Sequence, residues 1–126
     1  MERRRISGHS PYEPVVGFSR AVVADGKVYV AGTAPIPADG TNPPESAYEQ
    51  ARLSLQIIAG ALEQAGAGFE HVVRTRIFVT DRAHYEEVAR AHGEVFGEIR
   101  PASTAVVTGL LDPRWVVEIE AEAVLP

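Results

Sequence analysis

The chain has 126 residues, 45% of them hydrophobic, with a formal net charge of −5 and no cysteine. That length and composition fit one globular domain over residues 1–126 and argue against disorder. The missing cysteine excludes disulfides, thiolate nucleophiles and Cys-based metal sites, and the acidic balance offers phosphates no general attraction, so nucleic acid is not expected as a partner.

The opening run Met1-Glu2-Arg3-Arg4-Arg5 is charged like the start of a signal peptide, but no apolar stretch follows it and no segment approaches a membrane span. A cytoplasmic protein is expected, with the arginines solvated. Residues 3–6 suit a short edge strand, followed by a loop with Gly8, Pro11 and Pro14. Residues 19–24 and 27–32 flank Asp25-Gly26, a pair that favours the type I′ turn of a β-hairpin. Pairing across that turn sets Val22 opposite Tyr29 and Arg20 opposite Ala31 on one face. Ala21, Val23, Val28 and Val30 lie on the other.

A loop rich in Pro, Asp, Gly and Asn then runs over residues 35–44. Ser46-Ala47-Tyr48-Glu49 is a capping box in which each polar side chain can satisfy a free backbone N–H. Ala51, Leu55, Ile58, Leu62 and Ala65 follow at helical spacing, and Gly66 suits a left-handed stop. Residues 72–79 predict a strand with Val72, Arg74, Arg76 and Phe78 on one face. Thr80-Asp81 offers a cap for a second helix that buries Tyr85, Val88, His92, Val95 and Phe96 and ends near Gly97. Two strands close the chain, one leading from Arg100-Pro101-Ala102-Ser103 to Val107 and one over 117–123. In the latter Glu118, Glu120 and Glu122 alternate with Ile119, Ala121 and Ala123.

The order is β-ββ-α-β-α-β-β, an α+β pattern. Two helices cover only one face of such a sheet, so the face with Val22, Tyr29 and the glutamates stays open in a lone chain. Burying it against other copies in a closed ring predicts a homo-oligomer. Trp115 is expected at a subunit edge or, failing that, as a wall of a pocket.

Among residues with chemistry to offer, Glu118 can order a water for attack on an electrophilic carbon, with a raised pKa if buried. Glu120 and Glu122 read as structural or rim charges. Arg20, one residue from Gly32 across the hairpin, either enters a cleft there or forms an interfacial ion pair. His92 reads as a satisfied core histidine or as a ligand-facing group. The four histidines, at 9, 71, 84 and 92, lack i, i+4 ligand spacing, so no metal site is expected. Ser103 and Thr104 are nucleophiles in principle, but spacing reveals no Ser-His-Asp pattern, and their hydroxyls read as donors to a ligand or the backbone.

Five segments in order resemble the Rid family, also called YjgF or L-PSP endoribonuclease-like proteins. They are Gly17-Phe18-Ser19-Arg20-Ala21-Val22, Val28-Tyr29-Val30-Ala31-Gly32-Thr33-Ala34-Pro35, Val73-Arg74-Thr75-Arg76-Ile77-Phe78-Val79-Thr80-Asp81, Phe96-Gly97-Glu98-Ile99-Arg100-Pro101-Ala102 and Val117-Glu118-Ile119-Glu120-Ala121-Glu122-Ala123. The resemblance implies a chorismate-mutase-like α+β fold, with a six-stranded mixed sheet and two helices on one face. It also implies a homotrimer around a central β-barrel, with a small-molecule pocket at each subunit cleft. The best-known branch hydrolyses reactive enamines and imines without a cofactor. There an arginine after Pro-Ala grips the substrate carboxylate, a glutamate on the last strand positions water, and a backbone N–H at the hairpin's end completes the site.

By position, the hairpin glycine corresponds to Gly32, the glutamate to Glu118, and the small residue two beyond the arginine to Ala105. The arginine itself falls on Ser103. The tyrosine common near the hairpin start falls on Phe18, and a polar residue of helix two falls on Ala89. Serine supplies one neutral donor where arginine supplies a bidentate charged fork, a loss of about 2–5 kcal/mol for a carboxylate in a dry cleft. The resemblance therefore implies a hydrolase-like enzyme acting on an uncharged or differently shaped electrophile. A non-catalytic binding or sensing protein, or the RNA cleavage that some family names suggest, are the alternatives.

Overall fold

Strands form where apolar and polar residues alternate, and helices where the apolar period lengthens to three or four. The computed structural model describes residues 2–126. It runs β1 (Arg3–Ile6), β2 (Ala21–Ala24), β3 (Lys27–Thr33), α1 (Ala47–Gln64), β4 (Val72–Val79), α2 (Tyr85–Phe96), β5 (Ala102–Val107) and β6 (Val117–Val124). The strands make one six-stranded sheet in the order β1-β2-β3-β6-β4-β5. Only β4 and β5 are parallel, joined by α2 as their crossover, and every other neighbour is antiparallel.

Local chemistry explains the element ends. Asp25 and Gly26 take φ of 52° and 73°, the pair of positive values that a type I′ turn needs. Val22 pairs with Tyr29, and the N–H of Ala31 donates to Arg20 O at 2.9 Å, extending the pairing one residue beyond β2. Ser46 Oγ accepts the N–H of Glu49 at 3.0 Å, which is the first half of the capping box. At the other end of α1, Gly66 adopts φ of 87°. Its N–H donates to Glu63 O, and that of Ala67 donates to Leu62 O, a Schellman stop. The opening arginines are not all solvated. Arg4 reaches the end of α1 and donates to the carbonyls of Gln64 and Ala65 at 3.0 and 3.2 Å.

The core lies between one face of the sheet and the two helices. Val28, Val30, Ile77, Val117 and Ile119 meet Leu55, Ile58, Leu62, Val88 and Phe96, all buried. Each such side chain contributes about 1.5–3 kcal/mol relative to exposure. Neither α1 nor α2 covers the opposite face, and Tyr29 stays 43% exposed there.

Three expectations change. A register shift against β6 between Val72 and Arg74 turns Val72 into the core, away from the face of Arg74 and Arg76. Tyr85 is exposed, because α2 begins there, after a short 3-10 turn at Arg82–His84, and projects over the edge strand with nothing beyond to cover it. Trp115 is buried within its own chain, beside Tyr12, Ile36 and Pro43, and needs no subunit edge.

Gln50 of α1 is 2% exposed and ties down the entry to β6. Its Nε2 donates to Pro44 O and Arg114 O, both at 2.9 Å, while its Oε1 accepts the N–H of Val116 at 2.8 Å. Gln50→Leu strands these buried backbone groups and is expected to lower stability by about 2–4 kcal/mol, measured by urea denaturation. A loss under about 0.5 kcal/mol contradicts the role given to this clamp.

Candidate functional site

Four of the candidate residues gather on the open face, where β3 breaks register. The β3–β6 ladder is regular to Val30 opposite Ala121, then shifts before Thr33 opposite Ile119. Gly32 lies in that bulge. Glu118 pairs with Phe78 and folds its carboxylate against Gly32, so closely that a Cβ there would lie 2.3 Å from Glu118 Oε2. A side chain at position 32 would have to push this carboxylate aside.

Arg20 is 6% exposed and lies between two carboxylates, Glu13 and Glu118. Its Nη2 donates to Gly32 O, its guanidinium stands 5.7 Å from the half-buried Phe18 ring, and its Nε has no partner. Glu13 holds the loop above by accepting the Gly8 N–H at 3.1 Å on each oxygen. Burial pushes the Glu118 carboxyl above its ordinary range; Arg20 opposes that rise and Glu120 adds to it. Burial likewise lowers Arg20, which Glu13 and Glu118 counteract. Glu120 itself pairs with Arg76 at 3.1 Å. A broad groove of about 1070 Å³ opens beside the cluster, walled by Arg5, Ser10, Glu13, Phe18, Val22 and Tyr29.

The remaining candidates lie on the other side of the sheet. Ser103 pairs with Thr75 and Ala105 with Ile77, so both side chains share the face of the core, at the uncovered edge. Thr75 Oγ1 lies 2.8 Å from Ser103 Oγ and 2.9 Å from His92 Nε2. His92 is half-buried against the Phe96 ring, with centroids 4.6 Å apart, and burial lowers its pKa, favouring the neutral imidazole. A second groove, about 520 Å³, runs along this edge past Val79, Tyr85, Ala105 and Val107.

The structure thus brings together Phe18, Arg20, Gly32 and Glu118, and separately His92, Ser103 and Ala105. It does not bring the two sets to one place within a chain. Two participants escaped sequence reasoning. Thr75 carried a usable signal, since it shares the period-two face of Ile77 and Val79 and is a polar residue aimed at the core. Glu13, which opens the short π-helical turn Glu13–Gly17, carried none. Among the described residues no three His, Asp or Glu side chains gather to hold a metal ion, and no helix is long and apolar enough to cross a membrane.

A mixed six-stranded sheet with two helices on one face and an acid beside a bulged glycine defines an α+β protein of the chorismate-mutase-like type. Residues 8–125 match the family described as Endoribonuclease L-PSP, and the chain belongs to that family, the YjgF or Rid proteins. It is 38% identical over 121 residues to an uncharacterized protein of Streptomyces coelicolor, covering 95% of this chain and 90% of that one. It also resembles the crystal structure of Rv2704 from Mycobacterium tuberculosis, a member of the YjgF/YER057c/UK114 family. That match has a TM-score of 0.89 and 42% identity over 98% of this chain and 100% of the other. A Rid-family protein of unknown function from Yersinia pestis matches at 0.88 with 28% identity, over 98% and 100% of the two chains.

Two outcomes follow from the packing of Glu118. A carboxyl whose folded pKa lies above its unfolded value makes stability fall as pH rises through that interval. Glu118→Gln is therefore expected to melt higher than the wild type at pH 7, with the difference shrinking below the ordinary glutamate range, near pH 4. Thermal melts across pH 4–7 check this, and a pH-independent difference contradicts it. Gly32→Ala must displace the Glu118 carboxylate. A crystal structure of that variant with Glu118 unmoved rules out the contact described.

Proposed function

We propose that the protein works in the cytoplasm as a ring of three copies, with a cofactor-free small-molecule cleft wherever two subunits meet. The carrying observation is the division of the candidate residues. Glu118, Gly32, Arg20 and Phe18 occupy the open face, whereas Ser103, Ala105 and His92 flank the uncovered edge strand on the reverse side. Placing the β5 edge of one copy against the Gly32 bulge of the next joins both halves and covers apolar and charged surface that a lone chain exposes.

Within such a cleft Glu118 orders a water for attack on an electrophilic carbon, as in enamine or imine hydrolysis. An acid lifted by burial is a better proton acceptor near neutrality than an ordinary carboxylate. The backbone at Gly32 faces the negative charge that develops, and Ser103 directs a hydroxyl at the ligand. Arg20 anchors the Gly32 peptide and holds positive charge beside Glu118. With serine on β5 where a carboxylate-gripping arginine would stand, the preferred electrophile is uncharged.

A binding role without chemistry draws support from one feature. The Arg20 guanidinium is turned inward to Gly32 O, away from the cleft. Light scattering is expected to give the mass of three chains, and a single-chain mass overturns the cleft. Imines generated in situ by an amino-acid oxidase carry a carboxylate, so the wild type is expected to hasten their decay weakly. Ser103→Arg is expected to gain at least about tenfold, and Glu118→Gln to lose about a hundredfold or more from that level. A trimer with no acceleration in either background rejects hydrolysis and leaves the binding role.

A further inference from the structure

We propose that Ser103 is a nucleophile for uncharged acyl substrates, activated by His92 through the hydroxyl of Thr75. Three polar side chains from β4, β5 and α2 line up at the uncovered edge: Ser103 Oγ, then Thr75 Oγ1 at 2.8 Å, then His92 Nε2 at 2.9 Å. Thr75 is wholly buried and has a single hydroxyl proton, so it accepts from one neighbour and donates to the other. At rest Thr75 Oγ1 donates to Ser103 Oγ; with the ring proton on Nδ1, rotation of the two hydroxyls reverses the chain, so that His92 accepts from Thr75 and Thr75 accepts from Ser103. A continuous path then leads the serine proton inward and leaves the lone pairs of Ser103 facing out.

The outer end of the path is open, since Ser103 is exposed on the edge strand. The inner end packs against Phe96, and burial favours the neutral imidazole, the form with a free lone pair for a proton. A nucleophile, a proton acceptor and a fixed link between them are what covalent acyl transfer requires of side chains. Thr75 supplies the link because it pairs directly with Ser103 across the β4–β5 ladder and so stands between serine and histidine.

The step balances. Ser103 Oγ bonds to the acyl carbon while its proton passes to Thr75 and the proton of Thr75 passes to His92 Nε2. Collapse breaks the bond to the leaving oxygen, which departs as the anion and takes a proton from water at the exposed edge. Water then attacks the acyl-serine and gives its proton to solvent, while the released Ser103 Oγ regains its proton from His92 through Thr75, so ester plus water becomes acid plus alcohol. The adjacent groove of about 520 Å³, walled by Val79, Tyr85, Ala105 and Val107, suits a compact apolar acyl group.

The test uses the full-length protein and two probes, phenylmethylsulfonyl fluoride for labelling and p-nitrophenyl butyrate for turnover. Labelling is read on the protein itself, so it is independent of imine hydrolysis. Intact-mass and peptide analysis are expected to find one sulfonyl adduct per chain, on Ser103, and none in Ser103→Ala. Thr75→Val, nearly isosteric, and His92→Gln are expected to slow labelling and butyrate hydrolysis about a hundredfold or more, whereas Thr75→Ser keeps the hydroxyl and restores them. An unlabelled wild type, or an adduct elsewhere, overturns the nucleophile. Undiminished labelling of Ser103 in a folded Thr75→Val overturns the relay.

Discussion

A residue on a β-strand shows its side chain to one face of the sheet, and residues an odd number apart show theirs to opposite faces. On β4, Thr75 pairs with Ser103 and Phe78 pairs with Glu118. Thr75 and Phe78 are an odd number apart, so the acid and the serine are assigned to opposite sides before any side chain is packed. No loop movement within one chain reverses that parity. Every functional reading of this molecule must either use one half alone or recruit the second from a neighbouring copy.

The half on the open face is built around charge held out of water. Arg20 and Glu118 are both shifted against their ionised forms by burial, and each partly relieves the other. The guanidinium also fastens to Gly32 O, so the arginine, the bulge and the carboxylate form one mechanical unit. Removing Arg20 leaves the Glu13 and Glu118 carboxylates without their opposing charge, which costs more than the lost hydrogen bond alone. The bulge has a second effect. By adding backbone between the Val30 and Thr33 pairings it makes room for the Glu118 carboxylate, which a regular ladder with a side chain at position 32 would fill.

Much of this fold was legible in the sequence because its signals are local. Asp25-Gly26, Ser46 and Gly66 act through backbone geometry over a few residues, and each forms the turn, cap or stop that its chemistry favours. The alternation of Glu118, Glu120 and Glu122 with buried Ile119, Ala121 and Ala123 likewise follows from the strand period. Tertiary context decided the misreadings. Tyr85 fits an apolar helical stripe, but that stripe extends past the last strand, where nothing covers it. Val72 fits the face of Arg74 until a register shift turns it inward. Position along the chain links Ser103 to Glu118 by resemblance, yet only the pairing register reveals the sheet between them.

The half on the reverse side departs from the resemblance at one position, where serine stands at 103 in place of the expected arginine. Serine at position 103 removes a charge at the rim while leaving a hydroxyl within reach of the buried Thr75. An arginine there stays protonated and has no hydroxyl to give up a proton, so the path to His92 would lack a nucleophile at its outer end. The substitution therefore exchanges one kind of site for another. A cationic grip on an anion gives way to a neutral hydrogen-bond chain ending at an imidazole kept uncharged by Phe96 and its burial. In the proposed relay such a chain moves a proton without creating an isolated buried charge at Thr75, because the Thr75 oxygen gains one proton as it releases another. On the proposed relay, the same serine that offers a carboxylate no cationic grip opens a hydrogen-bonded path to His92.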